Sequence, residues 1–139
     1  MAFLSWHDQY LIGDNTIDNE HKQLFVLINE FHNNWIEQRQ KQAAAVVLNR
    51  LVQYAETHFQ HEEDIMAAAN FPELAQHAEV HAKVTETIFT LYAELVEDDK
   101  HMEHDLLKFL KSWLIDHIVQ CDYKFRSYLQ QKHALPEAA

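Results

Sequence analysis

The sequence contains very few of the residues that turn or interrupt a chain. Its 139 residues include one glycine, Gly13, and two prolines, Pro72 and Pro136. Average usage is about 7% for glycine and about 5% for proline. A sheet-rich fold needs these residues at its many tight turns, whereas long helices joined by few turns do not. The shortage therefore predicts an all-α fold.

Cysteine is equally scarce, since Cys121 is the only one in the chain. An intrachain disulfide is therefore excluded, which fits a reducing compartment. The first ten residues contain no basic segment followed by a long apolar run, so we expect no signal peptide. From these two features we expect a cytoplasmic protein.

Basic side chains and long apolar runs are also lacking. The chain has 11 Lys and Arg against 22 Asp and Glu, a formal net charge of −11 with the histidines neutral. Such a charge makes nucleic acid and anionic membranes poor partners. The longest purely apolar run, residues 43–48, is far shorter than the about 20 residues that a membrane-spanning helix needs. We therefore expect no nucleic-acid binding and no membrane span.

Apolar residues recur at helical spacing in four stretches of the chain. In the first stretch, steps of four and three residues link Ile17 through His21 to Leu24, and the same steps continue through apolar residues to Trp35, which is the spacing of a bundle-core seam. Thr16 or Asp18 could cap the start of this helix. The pattern predicts an amphipathic helix with one face in the core.

The other three stretches predict three further helices. The second should cover about residues 41–69 and stop before Pro72, because the residue before a proline disfavours helical geometry. The third should begin near Leu74 and end in the acidic, polar residues 97–100. The fourth should continue to about residue 131. Since the connections are short, we expect antiparallel neighbours in an up-down-up-down four-helix bundle.

Residues 1–15 precede the first helix and are rich in large apolar and aromatic side chains for a disordered tail. We interpret them as an N-terminal arm packed on the bundle. The sequence contains no internal repeat, linker or low-complexity segment. We therefore interpret residues 1–139 as a single domain, with its four helices within about residues 16–131, and we expect a monomer.

Seven residues of the types that bind metals lie on the faces that should form the core. Residues four apart project from the same side of a helix, as in the pairs His58/Glu62 and His77/His81. Buried imidazoles and carboxylates are costly unless they are hydrogen-bonded or bind a metal. Hydrogen bonding could explain such polar residues on one core-facing helix face, but their presence on four faces predicts a metal centre. The predicted ligands are His21, His58, Glu62, His77, His81, His117 and Asp122.

The number and type of these residues indicate two metals. Seven ligands exceed the four of a tetrahedral zinc, and imidazole together with carboxylate suits iron, among other divalent metals. Two metals bridged by Glu62 and Asp122 would use the whole set. Five histidines would then divide three and two, which leaves one metal with an open position. The other histidines lie off these faces or in expected surface regions and are interpreted as ordinary: His7, His32, His61, His101, His104 and His133.

Two other kinds of metal site do not fit the sequence. The segment that begins His61-Glu62 resembles the start of a zinc-protease helix, but Ile65 stands where the second histidine belongs. A di-iron bundle of the ferritin type needs two Glu-x-x-His pairs, and the sequence contains none. The predicted centre is therefore rich in histidine rather than carboxylate, which favours binding chemistry over oxidation of a substrate.

One spacing departs from the helical pattern. His117 and Asp122 are five residues apart, so an ideal helix would turn their side chains about 140° away from each other. Cys121 is the residue that would lie in phase with His117. Either the helix contains a one-residue π-type bulge, a distortion frequent at functional sites, or Asp122 reaches the centre from the flank. The sequence leaves both alternatives open.

The ligand segments resemble the bacterial hemerythrin family. The resemblance extends from the aromatic arm to near residue 125, and every ligand spacing agrees, including the five-residue step. The matching strings are Ile17-Asp18-x-x-His21, His58-Phe59-x-x-Glu62-Glu63-x-x-Met66, Phe71-Pro72, His77-x-x-x-His81 and Trp113-Leu114-x-x-His117-Ile118-x-x-x-Asp122.

The resemblance implies a di-iron centre with a role for each position. The implied roles are His77, His81 and His117 on one iron, His21 and His58 on the other, and Glu62 and Asp122 as bridges beside a solvent-derived oxo or hydroxo group. Dioxygen would bind at the open position of the iron that has two histidines. By motif position, the oxygen pocket would be formed by Leu24, Phe59, Trp113, Leu114 and Ile118. These five residues also fit plain core positions.

The resemblance and the ligand pattern together predict a non-heme di-iron protein that binds dioxygen reversibly. The expected role is storage of oxygen or its delivery to oxygen-using enzymes, without catalysis by this protein. No sensor or signalling domain is recognisable, which weighs against a receptor. The alternatives are an enzyme that uses the same centre on peroxide or nitric oxide, and a scavenger of iron or oxygen.

Overall fold

The computed structural model describes residues 3–97 and 102–134. Within these ranges the chain forms helices and no strand, which confirms the predicted all-α class. The elements are a 3-10 turn at Asp8–Tyr10, α1 over Asn15–His32, a π turn at Asn33–Glu37, α2 over Lys41–Ala68, α3 over Leu74–Glu97, α4 over Met102–Asp116, a π segment at His117–Asp122 and α5 over Tyr123–Ala134. The polar end expected for the third helix, residues 98–100, lies outside the described residues. None of the helices in the described ranges is long and apolar enough to cross a membrane.

The elements pack as the predicted four-helix bundle, in which α4, the π segment and α5 follow one another as the fourth helix. α1 packs on α2, α2 on α3, α3 on α4, and α4 returns to α1. α1 and α2 run antiparallel, because Glu20 contacts His61 whereas Glu30, ten residues later, contacts Arg50, which precedes His61. Short connections impose this up-and-down order.

Aspartate side chains define the start of α1, but not in the way the sequence suggested. The prediction that Thr16 or Asp18 caps the helix is wrong, because Asp14 is the N-cap and its carboxylate accepts a hydrogen bond from Ile17 N at 3.0 Å. Gly13, at φ +98°, makes the turn that brings Asp14 to this place. Asp18 lies one turn into the helix and is buried.

The N-terminal arm packs on the bundle from Phe3 onward, as predicted, while residues 1 and 2 lie outside the described part. Asp18 accepts hydrogen bonds from the backbone N–H groups of Ile12 at 2.7 Å and Gly13 at 3.2 Å. Asn29 holds the other end, since its side chain both accepts from Leu4 N and donates to Leu4 O at 2.8 Å. These backbone contacts fix the arm along α1.

Two separate apolar clusters form the core, and in three helices a polar residue of the predicted centre lies between them along the chain, namely His21, Glu62 and Asp122. In α2, for example, Glu62 lies between Phe59 of the larger cluster and Met66 of the smaller one. The larger cluster includes Leu24, Ile28, Phe31, Leu48, Leu51, Leu110, Leu114 and Ile118. The smaller cluster consists of Ile12, Ile17, Met66, Phe71 and Phe125. Apolar packing therefore closes the bundle on both sides of the centre.

Candidate metal centre

The structure brings all seven predicted ligands together. Each is at most 6% exposed, although all seven carry polar or ionisable side chains. α1 contributes one residue, α2 and α3 contribute two each, and the π segment contributes two. In this order they are His21, His58, Glu62, His77, His81, His117 and Asp122.

The two carboxylate oxygens of Glu62 divide the five imidazoles into a group of three and a group of two. Oε1 faces the Nε2 atoms of His77 at 2.5 Å, His81 at 3.0 Å and His117 at 3.2 Å. Oε2 faces the Nε2 atoms of His58 at 3.1 Å and His21 at 3.4 Å. The grouping is the unequal division that the number of histidines suggested.

The carboxylate of Asp122 also faces histidines of both groups. Its Oδ1 lies 3.1 Å from His77 Nε2. Its Oδ2 lies 2.9 Å from His21 Nε2 and 3.2 Å from His117 Nε2. Asp122 and Glu62 therefore both face histidines from the two sides of the cluster.

The inward-facing atoms form two overlapping sets, each compact enough to hold one cation. Within each set, one atom per residue lies within 4.8 Å of the others. The sets are His21, His58, Glu62 and His117, and Glu62, His77, His81 and His117. His117 belongs to both, but we group it with His77 and His81, because its Nε2 faces Glu62 Oε1 and lies 3.3 Å from His81 Nε2.

Several of these inward-facing atoms make no hydrogen bond to any residue that the structure describes. They are buried, and they are Nε2 of His21 and His58, Oε2 of Glu62 and both carboxylate oxygens of Asp122. Buried polar atoms in native proteins nearly always have a partner. Imidazole nitrogen and carboxylate oxygen are the donors that iron and related divalent cations accept. The donor set therefore fits cations better than it fits a hydrogen-bonded core.

The π segment explains how the five-residue step reaches the centre. Residues His117–Asp122 are hydrogen-bonded as a π-helix, in which each N–H pairs with the carbonyl five residues earlier. The bulge is therefore confirmed, and flank approach from a regular helix is not needed. Cys121, which a regular helix would have turned toward the centre, is only partly buried and lines a cavity of about 60 Å³ with Val80 and Lys124.

Two carboxylates that the sequence reasoning missed contact the outer nitrogens of histidines predicted to be ligands. Glu20 Oε1 lies 2.9 Å from His58 Nδ1, and Glu63 Oε2 lies 2.8 Å from His81 Nδ1. Each stands next to a predicted ligand in the chain, so it is turned about 100° from that ligand around the helix. That rotation points it at a neighbouring helix, and this adjacency was the available signal.

His61, interpreted from the sequence as an ordinary histidine, belongs to the same arrangement. Its side chain is 48% exposed, and its Nδ1 lies 2.5 Å from Glu20 Oε2. Glu20 therefore holds the buried His58 with one oxygen and the half-exposed His61 with the other. The side chains of His101, His104 and His133 lie outside the described residues.

Contacts with the carboxylates shift the pKa values of the buried histidines. Burial alone would lower the pKa of His21 and of His77, but their contacts with Asp122 and Glu62 outweigh it and raise both pKa values to about 9. The same competition between burial and the two carboxylates raises the pKa of His117. Burial would raise the pKa of Glu62, but the neighbouring histidines, His117 first, hold it well below its usual value. A divalent cation would take the place of these protons.

The five residues predicted to form an oxygen pocket all lie in the larger apolar cluster. They are Leu24, Phe59, Trp113, Leu114 and Ile118, and none is more than 7% exposed. Phe59 touches the centre directly, since its ring stacks on His81 with centroids 4.1 Å apart. Trp113 meets Phe59 edge-on at 5.7 Å and lies 6.1 Å from the ring of His117. Large apolar groups therefore contact the ligand rings.

The fold and the site together define an all-α bundle with a buried histidine and carboxylate cluster that is able to hold metal ions. Comparison with known families agrees, because the model of the hemerythrin HHE cation binding domain matches residues 12–129. The chain belongs to this family.

Individual relatives point to the same family. The chain is 30% identical to a hemerythrin-like protein of Naegleria gruberi over 90% of this chain and 92% of the relative. It is 33% identical to a bacteriohemerythrin of Stenotrophomonas maltophilia over 85% and 76%, and 32% identical to a myohemerythrin of Riftia pachyptila over 89% and 92%. A crystal structure of a hemerythrin variant superposes with a TM-score of 0.82, at 22% identity, over 91% of this chain and 97% of that one. The structural match supports the fold.

Proposed function

We propose that the seven buried residues bind two iron ions and that the protein binds dioxygen reversibly at this centre. The observation that carries the proposal is the division of the histidines by Glu62, with three Nε2 atoms at Oε1 and two at Oε2. Membership of a cation-binding family and similarity to hemerythrins support it. Storage of oxygen, or its delivery to oxygen-using enzymes, is the role we propose.

The residues of this chain would divide the work as follows. His77, His81 and His117 would hold one iron, while His21 and His58 would hold the other. Glu62 and Asp122 face histidines of both groups, so they would be the bridging carboxylates. Two irons held by these residues would supply the pair of electrons that reversible binding of dioxygen requires.

The unequal number of histidines would leave room for a small ligand on the His21/His58 side. Five histidine nitrogens cannot be shared equally between two cations, so the His21/His58 side has one protein ligand fewer. The wall of Leu24, Phe59, Trp113, Leu114 and Ile118 is buried and apolar. Such a wall keeps water and protons from the reacting atoms, which is what return of the ligand unchanged requires.

Further parts of the proposal concern the protein as a whole. We propose that residues 1–139 form a single domain, that the protein is a monomer and that it acts in the cytoplasm. The single cysteine supports a reducing compartment. The net charge of −11 argues against nucleic acid as a partner. Size-exclusion chromatography with light scattering would measure the oligomeric state.

Two measurements test the proposed function. Metal analysis of protein made in iron-replete cells should give about two irons per chain, whereas one zinc or no metal would contradict the centre. The optical spectrum of the reduced protein should change in air and return when the sample is purged with argon. A change that does not reverse, or steady turnover of peroxide or nitric oxide with a reductant, would contradict reversible binding.

A further inference from the structure

Each half of the candidate centre contains one histidine whose outer nitrogen meets a carboxylate. His58, in the group of two, has Glu20 at 2.9 Å from its Nδ1. His81, in the group of three, has Glu63 at 2.8 Å from its Nδ1. In contrast, Nδ1 of His21 and of His117 are buried and without a hydrogen-bond partner among residues 3–97 and 102–134.

The geometry makes these carboxylates suited to orienting the rings. A neutral imidazole carries one proton, and a carboxylate at Nδ1 keeps the proton there. The lone pair is then on Nε2, which in His58 and His81 is the atom that faces Glu62 at 3.1 and 3.0 Å. A carboxylate behind a ligand histidine also makes its inner nitrogen a stronger donor.

The two carboxylates differ in how they are themselves held. The Glu20 side chain is 14% exposed, and its second oxygen is bound to His61 Nδ1 at 2.5 Å. The Glu63 side chain is 27% exposed. Glu20 therefore links the buried His58 to the half-exposed His61. The three side chains form one hydrogen-bonded series that joins α1 to two successive turns of α2.

We propose that Glu20 and Glu63 are positioning residues, one for each half of the centre, and that His61 acts through Glu20 to hold His58. This inference rests on the proposed di-iron function. Neither carboxylate would touch the cations, since each meets the outer nitrogen of its histidine. Each acts by fixing the tautomer and the ring plane of one ligand histidine.

Matched glutamine variants test the proposal, because glutamine keeps the size of the side chain but removes its charge. Glu20→Gln and Glu63→Gln should each weaken metal binding by about 10–100-fold, the usual effect of losing such a partner. Glu30→Gln is the control, since Glu30 is a half-exposed carboxylate of α1 that faces Arg50 at 3.5 Å. Affinity is measured by optical titration with Co²⁺ against a chelator, and circular dichroism checks that each variant folds.

A spectroscopic measurement separates the two halves. In protein loaded with ⁵⁷Fe, Glu20→Gln should change one of the two iron signals in the Mössbauer spectrum and Glu63→Gln should change the other. A merely structural role would lower stability without this selectivity. If both variants change the same signal, the assignment of one carboxylate to each half is wrong.

A double variant tests the part played by His61. If His61 acts through Glu20, His61→Ala should weaken Co²⁺ binding less than Glu20→Gln does, and Glu20→Gln/His61→Ala should match Glu20→Gln alone. Additive losses, or no loss from His61→Ala, would remove His61 from the arrangement. If wild type does not bind two irons, the proposed function fails. If wild type binds two irons and both Gln variants match Glu30→Gln in Co²⁺ affinity, only the positioning role fails.

Discussion

The ring of Phe59 lies flat on the ring of His81, with centroids 4.1 Å apart and an interplanar angle of 12°. The same histidine meets Glu63 through Nδ1 and Glu62 through Nε2. His81 is therefore held on its face as well as at both nitrogens.

This contact predicts a double effect of removing the aromatic ring. Phe59→Ala should destabilise the protein by about 3–5 kcal/mol, as usual for a buried phenylalanine, and should also weaken metal binding because His81 gains room to rotate. Phe31→Ala is the matched control, since Phe31 is fully buried and packs on Trp35. It should cost similar stability and leave the affinity unchanged. Urea unfolding and Co²⁺ titration measure the two effects, and equal affinities for both variants would contradict the prediction.

The shared position of Glu62 predicts that one substitution removes both metals. Glu62→Ala takes away the carboxylate whose oxygens face all five imidazoles, so the variant should fail to retain two irons. Glu56→Ala, an exposed position of the same helix, should retain them. Metal analysis after gel filtration measures the ratio of iron to protein. Two irons in purified Glu62→Ala would show that this residue is not a bridge.

Leu114 predicts an effect on the lifetime of the oxygenated protein. It is fully buried and one turn before His117, so Leu114→Ala should still bind two irons but leave a wider pocket that admits water and protons. The oxygenated absorption band should therefore decay faster in air than in wild type.

The control for this experiment is a buried leucine away from the centre. Leu48 is fully buried and stands ten residues, or about 15 Å of helix, before His58. Leu48→Ala should lose stability, by about 2–5 kcal/mol for a buried leucine, without faster decay. Equal decay of wild type and Leu114→Ala would exclude Leu114 from the pocket.

The pKa values predict that the stability of the metal-free protein, prepared with a chelator, depends more strongly on pH than that of the metal-loaded protein. His21 and His77 have pKa values raised to about 9 from an ordinary 6.5, so the stabilisation they give is complete below about pH 6.5 and is lost as pH rises through about 9. Glu62 has a pKa well below its ordinary 4.5, so its contribution is present above about pH 4.5 and is lost as pH falls further. The metal-free protein should therefore be most stable between about pH 4.5 and about pH 6.5.

Thermal unfolding at a series of pH values measures this behaviour. In iron-loaded protein the histidines hold metal instead of protons, so the fall in Tm between pH 7 and 9.5 should disappear. His77→Gln should reduce the fall in Tm of the metal-free protein, because one of the titrating groups is gone. If the Tm of the metal-free protein rose over this range, the pKa values of His21 and His77 could not be raised.

The sequence predicts those features that depend on spacing along one helix. The steps of three and four residues place His21 on the buried face of α1, and the five-residue step from His117 to Asp122 points to the bulge that the structure contains. Periodicity fixes which face a residue occupies, because the helical repeat is constant.

Features that depend on the relative position of two helices are not accessible in this way. The contact of Glu20 with His58 and His61 requires the register between α1 and α2, and packing of many side chains sets that register. The cap of α1 was missed for a related reason. Asp14 gains its place from the turn at Gly13 in the arm, outside the periodic part of the sequence.

The π segment joins two helical registers within one helix. Residues before it, such as Leu114, keep the phase of the larger cluster, whereas Phe125 after it packs on Phe71 in the smaller cluster at 5.1 Å. If the π segment became a regular helix with all its residues kept, everything beyond it would rotate by about 100°. Asp122 and Phe125 would then leave their places together. The bulge therefore absorbs the extra residue locally, and the position of Asp122 and the distal packing both depend on it.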